Sequence, residues 1–533
     1  MSLAFDEFGR PYIIVREQEK KRRLKGIDAV KANLQSALAI SQTLRTSLGP
    51  KGMDKMIVSP DGEVLITNDG ATIVEKMEIM HPIAHLMVEL SRSQDDEIGD
   101  GTTGVVVLAG MLIEQALQLI DKGIHPLKIA SGFDKAADMV TEHLNTLKEG
   151  SYTASREDLL KTAMTSLSSK VVAKYKRKLG QIAVDAVLAV ADLERKDVNF
   201  DLIKIVGKPG SSVENTELIK GIVIDKELSH PQMEKHLSNA KIAILTCPFE
   251  PPKPKTKYNL NITNAQDYQA LAKREQSYFV EMVQKVKESG ADIVMCQWGF
   301  DDEANHLLLQ NGLKAIRWVS GTDIELLAIA TGARIVPRFE ELHPQKLGFA
   351  GKIDEVNFGT QSNNMIIVKD LSAAKAVSIL VRGGSKTIVD EAHRSIHDAI
   401  CVIRNLIRDP QVIVGGGACE INCAIHLRQK ADEVASVEQY AIRGFAEALE
   451  QICVVLSENS GLDPIQCLSE ARSRQIAEKT HVYGVSCLDG KVDDMRKQEV
   501  FETLASKKLQ IQLATQVVKM ILKIDDLIEK VMA

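Results

Sequence analysis

Both ends of this chain read as helix, and its middle reads as alternating strand and helix. That order constrains the fold more than any other feature. At the amino end, Ile27, Val30, Leu34, Leu38 and Leu44 recur at helical spacing across 27–47. Leu48-Gly49-Pro50-Lys51-Gly52 then stops the helix, because Gly and Pro together break it. Val64-Leu65-Ile66 reads as a short strand, Asn68-Asp69-Gly70 as a tight turn, and Ala71 onward as helix. Between about 217 and 370 the pattern changes to short β-rich runs separated by helices: Ile222-Val223-Ile224, Ile242-Ala243-Ile244-Leu245 and Ile293-Val294-Met295. From about 405 the chain is helical again, over Val437 to Leu456 and Lys507 to Leu527. Two helical ends flanking an α/β middle predict that the termini share one domain into which the middle is inserted.

The length of 533 residues allows roughly three domains at ~150 residues each. Aromatics make up only 4% of the residues, so cores must be built from Ala, Val, Ile and Leu. A net charge of −6 gives no general attraction for nucleic acid or anionic membranes. The densest apolar run, Val105 to Ile113, falls short of the ~20 residues that span a bilayer, so no membrane helix is expected. The first residues carry no charged and apolar leader pattern, and the expected compartment is the cytoplasm. Eight cysteines, none in a Cys-x-x-Cys pair, read as reduced thiols. Cys419 and Cys423 lie one helical turn apart without a third ligand nearby. The basic run Lys20-Lys21-Arg22-Arg23 reads as a solvated helix entry, and Asn261-Ile262-Thr263 as a sequon by spelling only.

The chemistry concentrates in Gly99-Asp100-Gly101-Thr102-Thr103-Gly104. Three glycines let backbone approach a bulky anion, and two threonines add donors at a helix start. Asp100 places a carboxylate where a phosphate would go, which makes sense if a divalent cation lies between them. The spacing also matches the dinucleotide fingerprint G-x-G-x-x-G. That reading needs a hydrophobic strand before the first glycine, whereas Ser91 to Glu97 is polar. Gly415-Gly416-Gly417 follows the strand-like Val412-Ile413-Val414 and offers a flat surface for a base, or else a close helix crossing. Asp398 sits on a charged amphipathic segment, either as an exposed helix charge or as an acid that orients water at a γ-phosphate. Gly383-Gly384-Ser385-Lys386-Thr387 lacks the spacing of a P-loop and is rejected as one. Pro248, Pro251, Pro252 and Pro254, interleaved with Lys253, Lys255 and Lys257, predict an extended arm, with a long polar helix from about 264 to 289 behind it.

Taken together, Thr46 to Lys55, Asn68-Asp69-Gly70-Ala71-Thr72, Gly99 to Gly104 and Gly415 to Gly417 resemble, in order and spacing, the group II chaperonins. The resemblance covers essentially the whole chain. Leu3 to Pro11 and Ser93 to Glu97 narrow it to one subunit type of the eukaryotic cytosolic chaperonin. It implies a multi-domain chaperonin fold. A mostly α equatorial ATPase domain would take 1–148 and 406–533. A mixed α/β intermediate hinge domain would take 149–217 and 371–405. An α/β apical substrate-binding domain would take 218–370, with a helical protrusion at about 247–280 acting as a lid.

The resemblance further implies ATP or ADP with Mg²⁺ as ligands. Asp100 would hold the metal, and Leu48, Gly49, Pro50, Gly101, Thr102 and Thr103 would hold nucleotide. Asp69 and Gly70 would face the γ-phosphate, and Asp398 would position the attacking water. Gly416 and Gly417 would pack on the nucleoside, with Ser169, Glu502 and Lys507 as outer contacts. Ser486 departs from an acid common at that position, which puts one nucleoside contact in question. The implied partners are seven paralogous subunits in an eight-membered double ring, with unfolded clients of the actin and tubulin class. Two rival readings are a phosphotransferase on a small metabolite and a scaffold that binds nucleotide without turnover.

Overall fold

The computed structural model describes residues 2–5, 11–14, 25–79, 81–150, 155–250, 262, 264–358, 364–371 and 376–526. Three large hydrophobic cores organise them. The first joins side chains from 30–147 with side chains from 413–522. The second lies wholly within 222–376. The third joins 159–213 with 377–412. The amino and carboxyl parts therefore pack together, and the α/β middle has a core of its own.

The first core is a helical bundle around Thr102–Asp121. Val105, Val106 and Val107 are poor helix formers taken singly, since β-branching restricts χ1. Burial on nearly every side holds them in a helix: all three are at most 1% exposed. By length and composition alone this 20-residue helix could span a bilayer, being longer than the run Val105 to Ile113, but it is packed in the core. Of its most apolar stretch, 72% is buried inside the protein, as befits a core helix. Gly110 permits the close crossing with Ile27–Arg45, because a Cβ there would lie 1.8 Å from Ser41 Oγ. Phe445 packs edge-on against Phe133, with ring centroids 5.7 Å apart. Pro82–Glu97, Pro126–Leu144, Ala418–Ala431, Glu438–Asn459 and Leu504–Leu522 pack in the same core.

The second core supports a six-stranded sheet in the order Lys314–Ile316, Ile293–Cys296, His236–Leu245, Gly348–Asn357, Asn364–Leu371, Gly221–Ile224. The first three strands are parallel and the rest antiparallel. The long polar helix runs over Ala265–Ser289. Its buried side chains, Phe279, Met282, Val283 and Val286, all lie in the carboxyl half. Pro251, Pro252, Pro254 and their interleaved lysines lie outside the described residues, as do Lys20 to Arg23, Asn261 and Thr263. The third core backs a small sheet. Its central strand Val377–Gly383 runs parallel to Ile203–Pro209 and antiparallel to Glu217–Ile219.

Gly383-Gly384-Ser385 leads into a helix. Ser385 caps the helix Lys386–Arg408 by accepting the Ile388 N–H at 3.3 Å. That helix carries Asp398. All eight cysteines are free, in keeping with reduced thiols.

Phe445→Ala should destabilise the bundle by about 3–5 kcal/mol, the usual cost of emptying a buried aromatic site. A thermal midpoint unchanged from that of the unsubstituted chain would contradict the packing described here.

Candidate functional site: a cavity between two cores

A cavity of about 460 Å³ opens where the helical bundle meets the third core. Its lining includes Leu48, Gly49, Pro50, Asp100, Gly101, Thr102, Thr103, Ser169, Asp398, Gly416, Gly417, Glu502 and Lys507. Thirteen residues singled out from the sequence, spread over more than 450 positions, thus line one cavity. Asp69 and Gly70 are not in the lining; they lie directly behind it.

Two helices point their amino termini into this space. Thr102–Asp121 begins after Gly101 and Ala418–Ala431 after Gly417, both glycines having left-handed φ (79° and 78°). Neither helix has a side-chain cap. Uncapped first-turn amides and the positive end of the helix dipole make an anion site. Gly49, at φ 88°, is held by packing: a Cβ there would come 2.6 Å from Leu456 Cδ2. Asn459 fastens this turn by donating Nδ2 to the Arg45 and Leu48 carbonyls at 3.0 and 2.8 Å.

Asp69 does not form a free turn as expected. It caps the short helix Gly70–Lys76, accepting from Thr72 N at 3.1 Å and Thr72 Oγ1 at 2.6 Å. Its other oxygen accepts from Thr102 Oγ1 at 3.0 Å. Gly70 allows the approach, since a Cβ would lie 2.7 Å from Thr103 N.

The helix Lys386–Arg408 is seated on the same corner. Asn405 donates to the Ile98 carbonyl at 2.8 Å and Arg404 to the Glu97 carbonyl at 2.9 Å. A Cβ on Gly99 would lie 2.5 Å from Cys401 Sγ. Asp398 is therefore no exposed helix charge. Its side chain is 13% exposed and bonds Lys170 Nζ at 2.7 Å, with Lys170 itself 8% exposed.

Lys170 was not singled out from the sequence, although its neighbour Ser169 was. It answers to three acids at once. Burial pushes the Asp398 pKa up to about 8, with Lys170 opposing and Asp69 and Asp100 adding to the rise. Burial likewise raises Asp100. Burial also works against ionisation of Asp69, yet Lys170 and the Thr72 and Thr102 hydrogen bonds outweigh it and hold its pKa below the ordinary carboxylate range. Burial disfavours the charge on Lys170, but Asp398 and Asp69 more than restore it. Elsewhere in the lining, Lys507 is bracketed by Glu420 Oε1 at 2.7 Å and Glu502 Oε2 at 2.6 Å. Ser486 also lines the cavity, and its hydroxyl accepts the Asp489 N–H at 3.3 Å.

Among the described residues no group of three or more His, Cys, Asp or Glu could hold a metal ion by itself. Mg²⁺ binds through one or two carboxylates and takes its other ligands from phosphate and water, and the Asp100 carboxylate in the lining is a donor of that kind.

Residues 40–531 match the TCP-1/cpn60 chaperonin family. The chain belongs to that family. It is similar to T-complex protein 1 subunit epsilon of Encephalitozoon cuniculi, at 47% identity over 527 residues, 99% of this chain and 98% of the relative. It is also similar to the thermosome subunits of Methanocaldococcus jannaschii and Pyrococcus horikoshii. Each is 42% identical, covering 98% of this chain and 95% and 94% of the relatives. The chain is thus a chaperonin, of the group its motifs resemble, and epsilon is the subunit type to which Leu3–Pro11 and Ser93–Glu97 point.

The raised pKa of Asp398 has a consequence for this chaperonin's stability. An unfolded carboxyl titrates near ~4. The folded chain holds this proton more tightly, so the contribution favours folding below about pH 4 and is lost as pH rises through about 8. Asp398→Asn, which cannot ionise, should gain stability relative to the unsubstituted chain between pH 5 and 9 without nucleotide. Parallel pH profiles of the two thermal midpoints would contradict the assignment.

Proposed function

We propose that the chain is one subunit of an ATP-driven, hetero-oligomeric double-ring chaperonin of the cytoplasm that encloses and folds non-native proteins. The observation that carries this reading is the meeting of Asp398, on one core, with the uncapped Gly99–Gly104 corner, on another, across a single cavity. The names of the relatives, T-complex protein 1 subunit epsilon and thermosome subunit, support the assembly.

The three cores support the division into an equatorial ATPase domain (1–148 and 406–533), an intermediate hinge (149–217 and 371–405) and an apical substrate-binding domain (218–370). The lid would be the arm and helix at about 247–280. The nucleotide would lie with its phosphates at the amides of Gly101, Thr102 and Thr103, and its nucleoside against Gly416 and Gly417. Leu48, Gly49 and Pro50 would cover it, with Ser169, Glu502 and Lys507 at the rim. Asp100 would hold Mg²⁺, whose charge would neutralise the phosphates and draw Asp100 into its ionised form.

Asp398 would orient the attacking water and take its proton, for which a pKa near neutrality is suited. To act, it must exchange Lys170 for water. Asp69 would keep Thr102 in register behind the γ-phosphate, with Gly70 making room for it. Hydrolysis would then alter how the hinge helix sits on Gly99, and so turn the apical domain. The remaining ring positions would be filled by seven paralogous subunits. Clients would be unfolded proteins of the actin and tubulin class, captured on the apical face.

Asp398→Ala should retain nucleotide binding and lose about 10²–10⁴-fold in hydrolysis rate within the assembled ring, the usual worth of a positioned base. Normal turnover would refute its role. Asp100→Ala should instead weaken Mg–ATP binding itself, read by equilibrium titration with and without Mg²⁺; an unchanged affinity would remove its metal role.

A further inference from the structure

The Gly99–Gly104 corner can offer its amides to the cavity only if its carbonyls point away. In a planar trans peptide the C=O and the following N–H are antiparallel, so anchoring one carbonyl aims the next amide. Two glutamines from separate helices supply such anchors. Gln94, fully buried on Pro82–Glu97, donates Nε2 to the Asp100 carbonyl at 3.0 Å and to Ser506 Oγ at 3.4 Å. Gln510, 5% exposed on Leu504–Leu522, donates Nε2 to the Gly101 carbonyl at 3.2 Å. That carbonyl also accepts the Val105 N–H at 3.1 Å, the first bond of the helix. The first anchor sets the Gly101 amide and the second sets the Thr102 amide. The Gly101 amide accordingly falls on the side of the Asp100 carboxylate, which it stabilises.

Two further observations separate this from ordinary packing. Gln94 Oε1 is buried with no hydrogen-bond partner, which is a net cost that an apolar side chain of the same shape would avoid. The donor is what justifies a glutamine there, because the reversed amide would set oxygen against the Asp100 carbonyl. The last glycine of the motif also has its reason here. A Cβ on Gly104 would lie 2.2 Å from Gln510 Nε2, whereas one on Gly101 would meet nothing closer than 3.4 Å. Gly104 makes room for Gln510, not for phosphate.

We infer that Gln94 and Gln510 are positioning residues for phosphate binding, fixing from behind the loop the direction of the amides that receive it. This rests on the nucleotide reading above and goes beyond it.

The test labels this chain within the native particle with photoreactive 8-azido-ATP and measures competition by ATP and by adenosine. Gln94→Met and Gln510→Met keep the bulk and remove the donor. Each should weaken ATP competition about ten-fold, the worth of one misdirected charge-assisted bond, and leave adenosine competition unchanged. Gly104→Ala, which displaces the Gln510 amide, should do the same by an independent route should a Met variant fail to assemble. Added to Gln510→Met, it should cost little more. Unchanged ATP competition in these variants overturns the inference, and so does an equal loss for ATP and adenosine, the mark of general disorder. If the unsubstituted chain takes no label, the nucleotide reading itself fails, and this inference with it.

Discussion

Three carboxylates, Asp69, Asp100 and Asp398, converge on the seam between two cores and share the ammonium of Lys170. Much of the site follows from that crowding. Burial above all, with the charges of Asp69 and Asp100 adding to it and Lys170 opposing, pushes the Asp398 pKa up to about 8. The cation proposed for Asp100 would reverse that balance. The seam also ties chemistry to shape. Asp398 comes from a helix that packs with the third core, while the amides it faces begin the central helix of the first. Any change in the charge between them is a change in the force holding two bodies together.

The packing around the corner shows how narrow the tolerance is. Gly99 touches Cys401, Gly70 touches Thr103 and Gly104 touches Gln510, each at a distance that leaves no room for a methyl group. Three segments far apart in sequence are thereby fitted to one loop. Helix amino termini supply the attraction for an anion, and glycines supply the access. The side chains behind the loop, Gln94, Gln510, Asn405 and Arg404, supply rigidity through bonds to its carbonyls. Preorganised dipoles of this kind do not have to reorient when charge arrives.

Much of this was legible in the sequence, and for a physical reason. Glycine runs report a local backbone demand, so Gly99–Gly104 and Gly415–Gly417 could be read without knowing what surrounds them. Hydrophobic period marked the long helices within a few residues: Lys507 to Leu527 was expected where Leu504–Leu522 stands, and Val437 to Leu456 where Glu438–Asn459 stands. Asp398 was ambiguous, because an acid on an amphipathic helix is exposed or buried according to what the rest of the chain, here the corner of the first core, places against it. Lys170, Gln510 and Asn459 carried no signal, and Gln94 stood out only as part of Ser93 to Glu97, not for its place behind the loop. Their roles arise from contacts across long stretches of chain, and a lone lysine or amide looks the same in sequence whether it meets solvent or a buried carboxylate. The helix Thr102–Asp121 outruns the dense apolar stretch Val105 to Ile113 because Glu114 and Gln115 interrupt that stretch without interrupting the helix.

The most direct measurement is a structure of the assembled particle with ADP, Mg²⁺ and aluminium fluoride, which mimics the phosphoryl group in transfer. The account predicts the fluoride at the Gly101–Thr103 amides, the metal on Asp100, and Asp398 released from Lys170 with a water held between it and the aluminium. Nucleotide bound elsewhere, or Asp398 still paired with Lys170 and no water in line, would contradict it.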